Sequence, residues 1–182
     1  PMRDIQVLTP TRKGLVGVAN LNVELQKALN PPSPDKKEKS IRDYLFREGD
    51  RVMQIKNNYN LQWKKAGENS DEGVGVFNGD AGIILEIDNE EQMLKVIFDD
   101  EKIVEYDYSI LDEIEPAFAT TIHKSQGSEF PVVIIPIFPG PPILMTRNLL
   151  YTAITRAKNL VILVGRQRVM NEMIQNSRET LR

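Results

Sequence analysis

Residues 131–165 read PVVIIPIFPGPPILMTRNLLYTAITRAKNLVILVG. PVVIIPIF is a continuous apolar run, the pattern of a strand covered on both faces. In TRNLLYTAITRA, residues 146–157, Leu149, Leu150, Ala153, Ile154 and Ala157 share one helical stripe. Asn159 breaks that stripe, LVILVG reads as a second buried strand, and RQRVMNEMIQNS as a closing helix. Strand, helix, strand and helix in succession are the arithmetic of a parallel α/β sheet.

Working back along the chain, Ile5-Gln6-Val7-Leu8-Thr9-Pro10 reads as a buried strand that ends at proline. A short basic loop, TRKG, follows. Residues 17–29, GVANLNVELQKAL, place Val18, Leu21, Leu25 and Leu29 at helical spacing, and Asn30-Pro31-Pro32 stops the helix. Residues 31–40, PPSPDKKEKS, have no apolar residue besides proline and read as an exposed linker. Between about 48 and 115 the pattern changes to short β segments: GDRVMQI, AGIILEI, QMLKVIFDD and EKIVEYD. Turn chemistry separates them at Asn78-Gly79-Asp80 and Asp88-Asn89-Glu90-Glu91. Four or five short strands predict a small barrel, with the α/β pattern resuming after Glu115-Pro116. The expected division is residues 1–47 and 114–182 for the α/β domain, with 48–113 as an inserted barrel.

Composition narrows the chemistry. The chain has 182 residues, 41% of them hydrophobic, with no cysteine and one histidine. Disulfides, thiolate catalysis and cysteine-ligated zinc are excluded, and no metal site is expected. No run approaches the roughly 20 apolar residues of a membrane span, and PMRDIQV lacks the apolar core of a signal peptide. A cytoplasmic protein without membrane partners is the expectation. A start at Pro1 reads as a piece of a longer polypeptide. The net charge of −3 hides a strong partition. Residues 1–65 hold 13 Lys/Arg and 7 Asp/Glu, residues 66–116 hold 2 and 16, and residues 117–182 hold 8 and 3. Two basic segments that attract phosphates flank an acidic one that repels them. A solvated acidic face accounts for the middle block alone, but not for both basic flanks.

The single histidine lies in ATTIHKSQGSEF, residues 119–130. Loops that leave the carboxyl ends of parallel strands are where open α/β sheets bind ligands. Thr120, Thr121, His123, Lys124 and Ser125 offer donors there, and a helix starting after the strand would add backbone N–H groups. Gly127 permits close backbone approach, and Glu129 can accept hydrogen bonds from a ribose or an arginine. No carboxylate stands near His123 to orient it as a general base. The plain alternative is a polar helix start with His123 as a cap. Arg156, at the end of an apolar helix, is either a cation on the helix dipole or a rigid guanidinium for a phosphoryl group. For Lys158 the dipole reading is preferred.

Taken together, TIHKSQGSEF and YTAITRAK resemble motifs V and VI of superfamily 1 helicases. LTPTRKG with the following GVANLNVELQKALNP resembles motif IV of the RecD-like branch, the exodeoxyribonuclease V alpha subunit family. GDRVMQIKNNYNLQW and VFNGDAGII resemble the start of that branch's SH3-like inserted barrel. The resemblance implies a RecA-like second helicase domain interrupted by an SH3-like barrel. It implies ATP-driven 5′-to-3′ movement on single-stranded DNA, and work in DNA repair and recombination. No GxxxxGK[ST] loop or Walker-B carboxylate pair is present. ATP with Mg²⁺ is thus expected to need the N-terminal RecA-like domain of the same polypeptide, with nothing bound tightly by this chain alone.

By the same resemblance, Arg156 contacts the γ-phosphate as an arginine finger, with Arg12 as a second contact and Lys13 a weaker candidate. Gly127 and Glu129 approach the nucleotide. Thr121, His123, Lys124 and Ser125 meet the DNA backbone, and Asn57, Asn58 and Tyr59 touch the strand from the barrel. Trp63 either stacks on a base or plugs the barrel. Nuclease or helicase subunits are possible partners. The rival readings are a non-catalytic nucleic-acid-binding module and a protein-interaction module.

Overall fold

A computed structural model describes residues 3–65, 67 and 71–177. In chain order the elements are β1 (Ile5–Thr9), α1 (Val18–Leu29), β2 (Glu38–Ile41), β3 (Tyr44–Arg47), β4 (Arg51–Gln54), β5 (Asn58–Lys65) and β6 (Glu72–Val76). Next come β7 (Ala81–Asp88), β8 (Met93–Phe98), β9 (Lys102–Asp107), a 3₁₀ turn (Tyr108–Glu113) and β10 (Ile114–Pro116). The chain closes with β11 (Ala119–Thr121), β12 (Phe130–Ile137), α2 (Arg147–Ile154), β13 (Ala157–Gly165) and α3 (Gln167–Gln175). Two compact units result, one from residues up to Glu24 with Ala119 onward, the other Leu25–Phe118.

The first unit is built on a parallel sheet in the order β11-β1-β12-β13. Leu8, Val133 and Ile135 of its strands are fully buried, and Leu149, Leu150 and Ala153 of α2 with Val169 and Met173 of α3 join them in one core. Thr146 caps α2 by accepting from the Leu149 N–H at 3.2 Å. α2 ends at Ile154, so Ala157 begins β13 instead of extending the helical stripe, and Ile154 is 38% exposed.

β13 departs from the expected buried strand. It lies at the edge of the sheet, with Leu160, Ile162, Leu163 and Val164 each 38–51% exposed. Apolar composition made it a strand, but only its position in the sheet determined how much of it was covered. β11, at the other edge, is protected. Asn22 of α1 is buried; its amide donates to the Ala119 carbonyl at 3.0 Å and its oxygen accepts from the Ala119 N–H at 2.8 Å. One side chain thus makes the two bonds a further strand would make. Of the expected stripe of α1 only Val18 is buried, with Asn22 buried beside it, whereas Leu29 is 54% exposed.

The second unit is a seven-stranded antiparallel sheet, β10-β4-β7-β8-β9-β5-β6, with the hairpin β2-β3 beside it. β8 alternates cleanly, turning Leu94, Val96 and Phe98 into a core with Phe46, Val52, Ile84, Ile87 and Tyr106. Three features correct the sequence reading. Residues 38–40 of the expected linker belong to strand β2, with Glu38 pairing Arg47 across the hairpin at 2.6 Å. β5, NYNLQWKK, was hidden by its polar, mostly exposed side chains. β6, EGVGV, was hidden by two glycines, which lower strand propensity.

Asp50 anchors this unit. Its carboxylate is fully buried and accepts from Asn30 Nδ2 at 2.7 Å, the Arg47 N–H at 2.7 Å and Gln26 Nε2 at 2.5 Å. Burial pushes its pKa up, while the three donors pull it down. The folded value lies above the ordinary one, so Asp50 contributes most to stability below the ordinary aspartate range. That contribution declines as pH rises through the folded value. Asp50→Ala removes one acceptor from each of three donors, of which Gln26 Nε2 and Asn30 Nδ2 keep the Leu45 and Glu48 carbonyls. It is expected to lower unfolding free energy by about 3 kcal/mol, read from urea unfolding at neutral pH.

Candidate functional site

β11 and β12 are both parallel to β1, on opposite sides of it, so the chain must return from the carboxyl edge of the sheet to its amino edge between them. Thr121 is level with Thr9, and Val7 is level with Ile134, while β12 begins at Phe130. The return covers roughly 20 Å along the strand direction at about 3.3 Å per residue. Residues 122–129 make it without a helix, as a run of turns. The helix start expected after β11 is therefore absent. Its i→i+3 bonds run from the Gln126 N–H to the His123 carbonyl and from the Ser128 N–H to the Ser125 carbonyl.

Two buried residues pin this segment. Ile122 is 1% exposed and belongs to the core, and its N–H donates to the Thr9 carbonyl at 3.1 Å. Ser125 is fully buried, and its hydroxyl donates to the Ile122 carbonyl at 2.7 Å. This corrects the expected role of Ser125 on DNA, because its hydroxyl is committed inside the turn. Thr121 Oγ1 accepts from the Lys124 N–H at 3.3 Å, and His123 stands exposed between them. Gly127 has φ +89° with open space around its Cα, so backbone conformation and not close approach requires glycine there.

Arg156 lies in the turn between α2 and β13. Its Nη1 donates to the Ser128 carbonyl at 3.2 Å and its Nη2 reaches Thr155 Oγ1 at 3.5 Å. Its Nε is buried and makes no hydrogen bond among the described residues. The Phe130 N–H donates to the Arg156 carbonyl at 2.8 Å, joining the starts of β12 and β13. Beside it Glu129 pairs with Lys158 at 3.6 Å, with both side chains more than half exposed. Lys158 is thus a strand residue paired to Glu129, not a cation on a helix end.

The expected convergence of both motifs on one rim needs revision. Gly127 to Glu129 and Arg156 meet at the amino edge, whereas Thr121, His123 and Lys124 stand at the carboxyl edge, with one segment linking the two. Arg12 falls on the carboxyl edge as well, in the loop after β1. Arg12 therefore follows the carboxyl end of β1, whereas Arg156 precedes the amino end of β13. That loop is held by Thr9 Oγ1 donating to the Val16 carbonyl at 2.6 Å. Gly17 is needed where its Cα packs on the Lys13 backbone, since a Cβ would come within 2.5 Å of it. Sequence reasoning missed a cleft of about 350 Å³ at this edge, between the β1–α1 loop and the segment after β12. The proline-dense PIFPGPP, which walls it, was the available signal.

The barrel candidates are placed separately. Asn57 Oδ1 accepts from the Asn78 N–H at 2.9 Å, and Asn58 Nδ2 donates to Glu113 at 2.9 Å, so both hold turns. Tyr59 is 66% exposed and sits edge-on to Phe77 at 5.7 Å. Trp63 packs against the barrel core and over Gly73, where a Cβ would come within 2.6 Å of the indole; Lys102 lies 5.1 Å from its ring. That arrangement favours a barrel plug over a free stacking platform.

Residues 21–98 match the SH3 domain of ATP-dependent RecD-like DNA helicases, and residues 116–164 match the UvrD-like helicase C-terminal domain. The chain is 35% identical to the ATP-dependent RecD2 DNA helicase of Deinococcus radiodurans, over 88% of this chain and 20% of that protein. It is 28% identical to the RecBCD enzyme subunit RecD of Haemophilus influenzae, over 95% of this chain and 23% of that protein. The chain therefore spans about a fifth of the length of these relatives. Among solved structures, the Pif1 helicase from Bacteroides in complex with ADP-AlF3 and single-stranded DNA shares its fold. The TM-score is 0.61 at 20% identity, covering 94% of this chain and 42% of that one. An α/β sheet of RecA-like type, an SH3 domain and these relatives place the chain in the RecD-like DNA helicase family.

Proposed function

We propose that this chain is the C-terminal part of an ATP-dependent 5′-to-3′ DNA helicase, supplying an arginine finger and half of the grip on single-stranded DNA. The observation that carries this reading is the segment 122–129. It ties DNA-facing residues at one sheet edge to Arg156 at the other, so a change at the nucleotide can move the strand contact. In this reading the helicase part comprises 1–47 and 114–182, with 48–113 as its barrel insertion.

The nucleotide is a substrate that this chain meets with part of a site. Arg156 fits the role because its guanidinium is held in place by the Ser128 carbonyl at the amino edge of the sheet, while its buried Nε makes no hydrogen bond among the described residues. Gly127 and Glu129 flank it. A companion domain of the same polypeptide carries the phosphate loop and Mg²⁺, and ATP draws the two together. Thr121, His123, Lys124 and Arg12 hold phosphates of the strand without reading sequence. Tyr59 adds a contact from the barrel. A cytoplasmic protein that works alone or beside nuclease subunits fits the RecBCD relatives.

Two measurements test the reading. The 182-residue chain alone should show no ATPase above background. Joined to its phosphate-loop domain, Arg156→Ala should cut hydrolysis by roughly 10³–10⁵ while ATP and DNA affinities hold. Surviving hydrolysis would reduce Arg156 to a structural cation. Separately, the chain should bind oligothymidylate with an affinity that falls steeply with salt. Lys124→Ala should weaken binding to all sequences alike and lower the slope of log K against log salt by about one. Salt-independent binding, or none, would favour a protein-interaction module instead.

A further inference from the structure

We infer that the cleft at the carboxyl edge seats one unstacked nucleobase of the strand whose phosphates lie on the Thr121–Lys124 loop. The inference rests on the DNA-grip reading above and adds a base site to it. Its walls are apolar: Pro10 and Leu15 from the β1–α1 loop, Pro136 from β12, and Phe138, Pro141 and Met145 from the segment that follows. At about 350 Å³ it lies at the small end of the roughly 300–1,000 Å³ of small-molecule clefts. That volume suits a flat ring better than a helix or strand of a partner protein.

Charge and continuity select the occupant. The sheet order puts the β1 loop between the β11 loop and the segment after β12. Reading along the edge, the hydroxyl and cationic groups of Thr121, His123 and Lys124 come first, then Arg12 and Lys13, then the cleft. Lys13 itself lines the cleft. From β11 to β12 is about 10 Å, two strand spacings, within reach of neighbouring nucleotides. Cations beside apolar ring faces are the pairing by which proteins hold single strands, with phosphates on the charges and bases on the rings. Leu15, 83% exposed on this loop, is a large apolar side chain left in water until such a ring covers it. Apolar walls read no base edge, so the site accepts any base.

The test measures salt-dependent binding of the 182-residue chain to a thymidine 12-mer and to a 12-mer of abasic backbone. Wild type should prefer the thymidine strand by about 5- to 150-fold. Phe138→Ala should bring that ratio close to one without changing the abasic affinity. Leu15→Ser, at an exposed position that folding does not depend on, should narrow the ratio as well. A ratio unchanged in both variants, with salt-dependent binding intact, would overturn the base site and leave the phosphate grip standing. No salt-dependent binding to either strand would overturn the DNA reading itself. If Leu15→Ser left the ratio intact but abolished self-association in size-exclusion chromatography, the occupant would be a second copy of the chain and the inference would fail.

Discussion

Parallel strands cannot be joined by a tight turn. After β11 the chain stands at the carboxyl edge of the sheet, and it must reach the amino edge before β12 can begin. In many α/β proteins a helix makes that return. Here residues 122–129 make it as a pinned run of turns, with Ile122 in the core and the Ser125 hydroxyl closed on its own backbone. The first residues of this run stand at one edge of the sheet and its last residues at the other, so one stretch of chain joins both edges.

This geometry sorts the cations. Arg156 leans on the Ser128 carbonyl at the amino edge, with its Nε buried and without a bond among the described residues. Arg12, which sequence similarity pairs with it, stands beyond the carboxyl end of β1 beside the Thr121–Lys124 loop. A guanidinium reaches several ångströms but not through a sheet, so the two arginines stand at separate edges. Lys158 is accounted for by Glu129, in an exposed pair worth little to stability.

Edges of the sheet are handled in opposite ways. At β11, Asn22 satisfies both backbone groups of Ala119 from the neighbouring helix. At β13, an apolar strand stands partly in water. The barrel solves a different problem. It draws its order from alternation, as along β8, and from Asp50, whose buried carboxylate gathers donors from Gln26, Asn30 and Arg47.

Much was legible in the amino-acid order, for a physical reason in each case. The continuous apolar run at 131–138 marks a strand covered on both faces, and the mostly apolar Ile5–Leu8 marks another, although it buries the polar Gln6 as well. The motif-bearing stretches 119–130 and 149–158 could be located because their residue types are unusual together. Alternating runs and turn residues between 48 and 115 announced a barrel, although β5 escaped because a strand lying mostly in water carries polar side chains. What only the tertiary structure decided was which edge each residue occupies. Spacing along the chain does not say that Ser125 turns inward, that Asn22 is buried while Leu29 is exposed, or that Arg12 and Arg156 lie a sheet apart. Those facts depend on the order of strands, and strand order is set by long-range pairing that local sequence does not encode.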